Sequence, residues 1–501
     1  MKLLWSFILL LVVFLHLSVI YGQCVFHKLY DYNELNNVGL AIIQTSDGDF
    51  ICSSSTYDGR SHILRLDECG DTVWTKIFDY SHIGADDGYS VIQSTDGNFI
   101  ICGVMTDTIN IEGDTFILKI DANGNPIWYK TIEGGYGDKG VMIKQTSDEG
   151  YILGGVNYDS ISYISQVFLL KTDISGDKEW QKEYGDIGYD FIESIDFTPD
   201  GGYILGGEFE NPITSSWDMF IIKTDSQGNE QWKEYYGTSY TERKGYAITT
   251  QDSGYAIVGY TENAAGDYNA YIVKTDSLGG IEWQKDFGYS TEHDLFKFIR
   301  QLQNGDFIVA GGISDTSYNP APPWVWLMKI SQQGDSLWSK FYSYYGLSIQ
   351  YAMNTDTYVE DLQLSSDGGF VMTGYIINNA LPAKNDLWLL KTDSLGNICE
   401  IDTITWEGCS EYVSVVELNG NNKAGNIIIY PNPAEEYITI ESYDQAIRKV
   451  EISDIHGRIE RSVCNINTGI ENINLSELRA GLYFVRVHCD QFVKTLKIVK
   501  Q

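Results

Sequence analysis

Short apolar runs, each closed by a polar, glycine-containing turn, recur from the start of the mature chain to about residue 393. One unit reads as an apolar run, then Lys-Thr-Asp, a glycine turn and a tryptophan. It occurs as Phe116–Asp121 to Trp128, Phe168–Asp173 to Trp180, Phe220–Asp225 to Trp232 and Tyr271–Asp276 to Trp283. Looser copies are Ile63–Asp67 to Trp74 and Trp326–Ser331 to Trp338, and Trp388–Asp393 has no tryptophan after it. The spacings between tryptophans are 54, 52, 52, 51 and 55 residues. A second signature precedes each copy: Asp47-Gly48, Asp96-Gly97, Asp148-Glu149-Gly150, Asp200-Gly201-Gly202, Asp252-Ser253-Gly254, Asn304-Gly305 and Asp367-Gly368-Gly369 each lead into an apolar strand. Glycine between two apolar runs is a hairpin signal, because it accepts the positive φ that tight turns need. The pattern therefore predicts seven units of four short strands. In the second unit these are Tyr89–Ser94, Asn98–Met105, Thr115–Ile120 and Pro126–Ile132.

One four-stranded sheet cannot bury both of its faces, whereas copies stacked radially bury them against each other. The expected fold class is all-β: a seven-bladed β-propeller followed by a small immunoglobulin-like β-sandwich. Phe26-His27-Lys28 is similar to Trp128-Tyr129-Lys130. Val25–Tyr30 is therefore expected to supply the outer strand missing from the seventh unit, which closes the ring and removes an open edge.

The repeated Asp, Gly and Trp resemble the tryptophan-docking repeat of pyrroloquinoline-quinone dehydrogenases and outer-membrane assembly propellers, with one residue fewer between Asp and Gly. The resemblance implies structural roles. Trp74, Trp128, Trp180, Trp232, Trp283 and Trp338 would pack between blades. Asp67, Asp121, Asp173, Asp225, Asp276 and Asp393 would cap the turn between the third and fourth strands. The turn is also similar to the sialidase Asp-box, but Asp and Trp stand seven apart, as in Asp225 and Trp232. A sialidase also needs clustered arginines to hold a carboxylate, and the propeller has only Arg60, Arg65, Arg243 and Arg300. No nucleophile elbow, Walker loop, HExxH or EF-hand sequence is present. No catalytic residue, cofactor site or metal site is assigned, and the acidic loops are candidates for calcium.

Composition and charge narrow the setting. The chain has 501 residues with 49 Gly, 35 Tyr and 12 Trp, and a formal net charge of −35. From Asn426 onward nine basic residues face ten acidic ones, so the acidity belongs almost wholly to the repeats. Such a surface repels phosphate backbones, which argues against nucleic acid. Lys2, the apolar run Leu3–Ile20 and Gly22 read as a cleaved secretory signal. No later run is long and apolar enough to span a bilayer as a helix, so no transmembrane segment is expected in the mature chain. Eight cysteines contain no Cys-x-x-Cys pair. Export permits disulfides; Cys399 with Cys409 and Cys464 with Cys489 are candidate pairs.

The second-to-third and fourth-to-first loops vary in length and content, and function favours variable loops on a rigid scaffold. Aromatics gather there: Tyr236, Tyr240, Tyr289, Tyr318, Trp324, Tyr342, Tyr344 and Tyr345. Aromatic faces beside carboxylates suit sugar rings, so these residues form the candidate ligand-binding set.

After Asp402 a polar stretch leads to Tyr430-Pro431-Asn432-Pro433, Gly457-Arg458, Gly481-Leu482-Tyr483 and a lysine-bearing end with Lys494 and Lys497. In order, these motifs resemble the C-terminal sorting domain of the Bacteroidetes type IX secretion system. The resemblance implies a seven-stranded sandwich, the type IX machinery as partner, and release or attachment at the outer-membrane surface. The expected layout is a signal peptide at 1–22, the propeller at 23–402, a linker at 403–425 and the sorting domain at 426–501. The expected function is non-catalytic binding or adhesion outside the cell, with a glycan or protein ligand. The alternative is a secreted hydrolase acting on polysaccharide or peptide.

Overall fold

The computed structural model describes residues 24–398 and 427–500 apart from connecting stretches, chiefly 31–36, 57–58, 81–85, 107–112, 133–135, 160–163, 186–187, 212–213, 289–292, 315–322, 343–354, 379–383, 431–433, 443–445, 454–458 and 490–492. The chain divides into two compact units, Met1–Leu418 and Asn419–Gln501. The expected signal peptide, 1–22, and the expected linker, 403–425, lie outside the described residues.

Among the described residues the first unit holds seven four-stranded antiparallel sheets. Six are built from consecutive strands. The seventh takes its outer strand, Phe26–Tyr30, from the start of the chain, paired with Lys384–Thr392 in the register Phe26↔Lys391 to Tyr30↔Leu387. Each inner strand lies against the inner strands on either side, and the first touches the seventh, so the blades form a closed ring. Middle strands are mostly apolar and largely buried, and Asp114–Ile120 is buried at every position, because neighbouring blades cover both faces. Outer strands such as Lys178–Tyr184 keep exposed positions.

The second blade runs Asp86–Gln93, Phe99–Met105, Asp114–Ile120 and Pro126–Ile132. Its inner strand begins three residues before the expected Tyr89. Asp-Asp-Gly reads as a turn in sequence but forms the start of the strand, with a bulge between Gly88 and Ser90. The extra residue of a bulge lets pairing continue through the glycine.

The turns between third and fourth strands show what the repeated residues do. Asp121 Oδ1 accepts the backbone N–H groups of Asn123 at 2.9 Å and Asn125 at 2.8 Å. Asp67, Asp173, Asp225, Asp276 and Asp393 accept in the same way. In the sixth blade the Ser331 hydroxyl takes this place. The turn glycine then meets the tryptophan of the preceding blade. Gly176 has φ +78°, and a Cβ there would lie 2.8 Å from the Trp128 ring. Trp74, Trp180, Trp232, Trp283 and Trp338 lie against Gly124, Gly228, Gly279, Gly334 and Gly396. At the closing seam Phe26 lies against Gly70 in the same manner.

A second device repeats within the blades. The lysine of Lys-Thr-Asp is buried, and its ammonium reaches the aspartate of the turn between first and second strands. Lys119–Asp96 is 2.7 Å, Lys223–Asp200 2.8 Å, Lys274–Asp252 2.9 Å and Lys391–Asp367 2.7 Å. The lysine stem packs in the core while its charge meets a partner at the surface.

The closing seam also carries a disulfide between Cys24 and Cys69. It ties the head of the seventh blade's outer strand to a turn of the first blade. Lys28 Nζ reaches Asp71 at 2.5 Å, and the Tyr30 hydroxyl donates to the Gly70 carbonyl at 2.5 Å. Cys52 and Cys102 are buried thiols on middle strands. Cys399 and Cys409 lie outside the described residues, and the Cys489 thiol sits 4.0 Å from Ser442 Oγ.

The second unit packs a three-stranded sheet (Ile427–Tyr430, Tyr437–Ser442, Ile470–Asn474) on a four-stranded one (Ile459–Thr468, Ile447–Ser453, Gly481–Cys489, Val493–Lys500). Ile438, Ile440, Val450, Ile452, Val485, Val487 and Ile498 fill the space between them. Alternation along Tyr483–Val487, buried then exposed, is what a sandwich strand requires. Gly481, Leu482 and Tyr483 open one strand, and Lys494 and Lys497 lie on the last, opposite Val487 and Phe484. Pro431, Asn432, Pro433, Gly457 and Arg458 lie outside the described residues.

Candidate functional site: the channel and its upper mouth

All the short repeated turns lie on one face of the ring, here the lower. The opposite ends of the strands form the upper face, and the inner strands line a central cavity of about 1130 Å³. That is slightly above the usual size of ligand clefts, about 300–1,000 Å³.

Its wall has two halves. Leu40 and Ile43 of the first blade, Tyr89 and Ile92 of the second and Val141 of the third give an apolar arc. The fourth to seventh blades give a charged arc of ion pairs that cross the seams between blades. Lys244–Glu193 is 3.1 Å, Arg243–Glu208 2.7 Å, Lys297–Glu360 2.7 Å and Arg300–Asp361 3.4 Å. Lys144–Asp196, at 2.6 Å, joins the third blade to the fourth. Burial pushes the carboxyls of Glu193 and Asp361 up, against the pull of Lys244 and Arg300.

Lys244 is held in an unusual backbone state. Its φ is +84°, a left-handed conformation that costs a side-chain-bearing residue of order 1–3 kcal/mol. The Glu208 carboxylate fixes it by accepting the Lys244 backbone N–H at 2.6 Å. Glu208 therefore orients two cations, Lys244 through its backbone and Arg243 through its guanidinium.

Half-buried aromatics surround the upper mouth. Phe191 stacks on Trp217 with ring centroids 5.9 Å apart, and the Arg243 guanidinium lies 4.2 Å from the Trp217 ring. Tyr260 meets Tyr268 at 5.0 Å, and His293 meets Tyr268 at 4.7 Å. Tyr358 and Tyr375 stack at 4.8 Å. Lys139 Nζ sits 3.9 Å over the Tyr89 ring. These residues stand on strands, and none of these aromatics was in the candidate ligand-binding set.

The aromatics singled out in sequence divide differently. Tyr236 and Tyr342 are buried, and their hydroxyls donate to the carbonyls of Gly279 at 3.0 Å and Gly396 at 2.7 Å. They seat the turn of the next blade, as Tyr184 does on Gly228, and so are corrected from ligand contacts to seam residues. The signal was present: each stands four residues after the blade tryptophan, on the same face of the strand. Tyr240 is 42% exposed on the upper face. Trp324 lies on a strand and pairs with Ile313 through its backbone. Tyr289, Tyr318, Tyr344 and Tyr345 lie outside the described residues.

Among the described residues no three His, Cys, Asp or Glu side chains converge to hold a metal ion, and no helix is long and apolar enough to cross a membrane.

Seven four-stranded sheets and a small β-sandwich make this an all-β, propeller-type protein. Residues 428–501 match the family described as the secretion system C-terminal sorting domain, so the chain carries a type IX sorting tail and is exported to the cell surface or secreted. No curated protein sequence matches the chain. Among solved structures, a protein of unknown function from Bacteroides caccae is similar at 11% identity and TM-score 0.36, covering 61% of this chain and 93% of that one. An α-L-arabinanase from Penicillium chrysogenum, complexed with arabinobiose, is similar at 12% identity and TM-score 0.41, covering 60% and 94%. A puromycin hydrolase is similar at 11% identity and TM-score 0.46, covering 81% of this chain and 58% of its own. Overlaps this loose carry no argument about activity.

Proposed function

We propose that the exported propeller is a non-catalytic binding or adhesion module whose upper face takes carbohydrate. The observation that carries this reading is the ring of half-exposed aromatics at the mouth, standing over hydrogen-bonding charges. A sugar presents an apolar face for stacking and hydroxyls around its edge, and this mouth offers partners for both. The charged groups favour binding over catalysis. Glu193, Glu208, Glu360 and Asp361 each already hold a cation within 3.4 Å, which ties up groups that acid–base cleavage of a glycosidic bond would require. The sorting tail delivers such a module to where polysaccharide is met.

Hydrolysis of polysaccharide or peptide is the second reading. It rests on Glu193, whose raised pKa suits a general acid.

The test exposes the secreted chain to immobilised polysaccharides, with calcium and with chelator, and follows both retention and release of reducing ends or new amines. Selective retention without release supports the binding reading. Release abolished by Glu193→Gln would replace it with the hydrolase.

A further inference from the structure

The channel's cations are not all alike. Lys144, Arg243, Lys244, Lys297 and Arg300 each face a carboxylate at 3.4 Å or less. Lys139 does not: among the described residues its ammonium makes no ion pair, and it rests over the Tyr89 ring at 3.9 Å. It stands at the border of the two arcs, on the third blade's inner strand, and lines the cavity.

Its surroundings fit a particular ligand. Asp87, two residues before Tyr89, accepts hydrogen bonds from the Ser55 and Tyr89 hydroxyls, the latter at 3.3 Å, rather than from a cation. Tyr158 and Phe191 bring aromatic carbon to the same cavity. The mouth thus offers one cation with no ion pair within 4.0 Å, on which burial and Lys244 act against the longer-range pull of Glu193, Asp87 and Glu360, one carboxylate hydrogen-bonded by hydroxyls, and aromatic walls. A cation–π contact is weaker than a charge-assisted hydrogen bond, so an incoming anion gains more from Lys139 than the Tyr89 ring loses.

We propose that this mouth is a subsite for an acidic sugar, with Lys139 as counter-ion to the carboxylate of a uronic acid. The aromatic walls take the pyranose face, and Asp87 accepts a ring hydroxyl. The proposal rests on the carbohydrate reading of the upper face and narrows it. Because the propeller carries most of the net charge of −35, selectivity for an anion must come from this local cation and not from the overall field.

The test measures affinities of the full secreted chain by calorimetry for tetramers of galacturonic, glucuronic and mannuronic acid and for their methyl esters. At least one acid should bind about tenfold or more tighter than its ester, as charge-assisted hydrogen bonds allow. Lys139→Gln should remove that preference, bringing affinity for the acid down to that for its ester, while Lys139→Arg should keep it. Equal affinity for acid and ester, or an acid preference that survives Lys139→Gln, overturns the subsite and leaves the upper face a neutral-sugar site. Lys139-dependent binding of an acidic peptide, with no sugar bound, overturns the saccharide class. No binding to any uronate, ester, neutral glycan or acidic peptide overturns both the subsite and the carbohydrate reading.

Discussion

The two faces of the propeller are built by different rules. On the lower face one solution repeats around the ring: an aspartate or serine caps the turn, its glycine receives an aromatic ring from the blade before, and a lysine, or Arg65 in the first blade, reaches an aspartate. On the upper face an acid is buried near the start of five inner strands, Asp86, Asp138, Asp190, Glu242 and Asp294, but among the described residues the groups that face the channel and its mouth differ from blade to blade. Arg243 lies on Trp217, Lys139 on Tyr89, and Lys244 holds a strained backbone state against Glu208. Repetition marks positions that solve a packing problem common to every blade. Departure from it, at equivalent positions of the same strands, marks where something other than packing sets the residue.

The largest effect should come from breaking the lower-face closure. Cross-linking residues 45 apart removes chain entropy worth about 4 kcal/mol in the loop-closure model. Reduction, or Cys24→Ser with Cys69→Ser, should destabilise the propeller by about that amount in denaturant titrations. An unmoved midpoint would show that the strand clasp holds without it.

A pair of glycine substitutions sharpens the contrast between packing and backbone. Gly176 and Gly201 have φ of +78° and +83°, but a Cβ on Gly201 meets nothing within 4 Å. Gly201→Ala should cost about 1–2 kcal/mol from the left-handed backbone alone. Gly176→Ala adds an overpacked contact with Trp128 and should cost about 2–4 kcal/mol. Equal losses would mean that the tryptophan yields freely.

Tyrosines separate the faces at smaller scale. Tyr236→Phe should lose about 1 kcal/mol with the hydrogen bond to Gly279, and leave ligand affinity untouched. Tyr240→Ala, on the exposed upper face, should change stability by less than about 0.5 kcal/mol. A ligand whose affinity follows Tyr236→Phe would reverse their assignments.

The smallest effect per residue is electrostatic. The folded state lowers the carboxyls of Asp148, Asp200 and Asp252 to about 2. For Asp148 the Thr146 hydroxyl contributes most, ahead of Lys171. For Asp200 and Asp252 burial is the largest influence and acts upward, but bonds from Lys223 and Lys274 and from Thr198 and Thr250 together outweigh it. The unfolded chain binds protons first, near pH 4, so this stability is present above about pH 4 and is lost as pH falls towards 2. All three side chains are more than half exposed, so solvent screening keeps each contribution small. Replacing all three by Asn should flatten stability between pH 4 and 2; an unchanged slope would place acid sensitivity elsewhere.

Legibility in sequence followed the same division. The blades and the Phe26–Tyr30 clasp could be read because each copy comments on the others. Tyr236 and Tyr342 were misread because they were judged by proximity to variable loops, not by their distance from Trp232 and Trp338. The inner-strand starts were missed because Asp86-Asp87-Gly88 carries turn residues yet pairs through a bulge. Cys24–Cys69 could not be read, since its partners meet only once the ring closes. The channel ion pairs join strands about 35–65 residues apart at positions without a repeat, so only the folded ring brings them together.

The most direct test compares Trp217→Ala with Tyr268→Ala, made together, against Trp128→Ala in the secreted chain, measuring melting temperature and affinity for any retained polysaccharide in parallel. The upper-face pair should lose affinity while the melting temperature scarcely moves. Trp128→Ala should lower the melting temperature and bind normally while folded. Affinity that falls in both only as stability falls, or survives loss of the upper-face pair, would contradict a division of labour between the two faces.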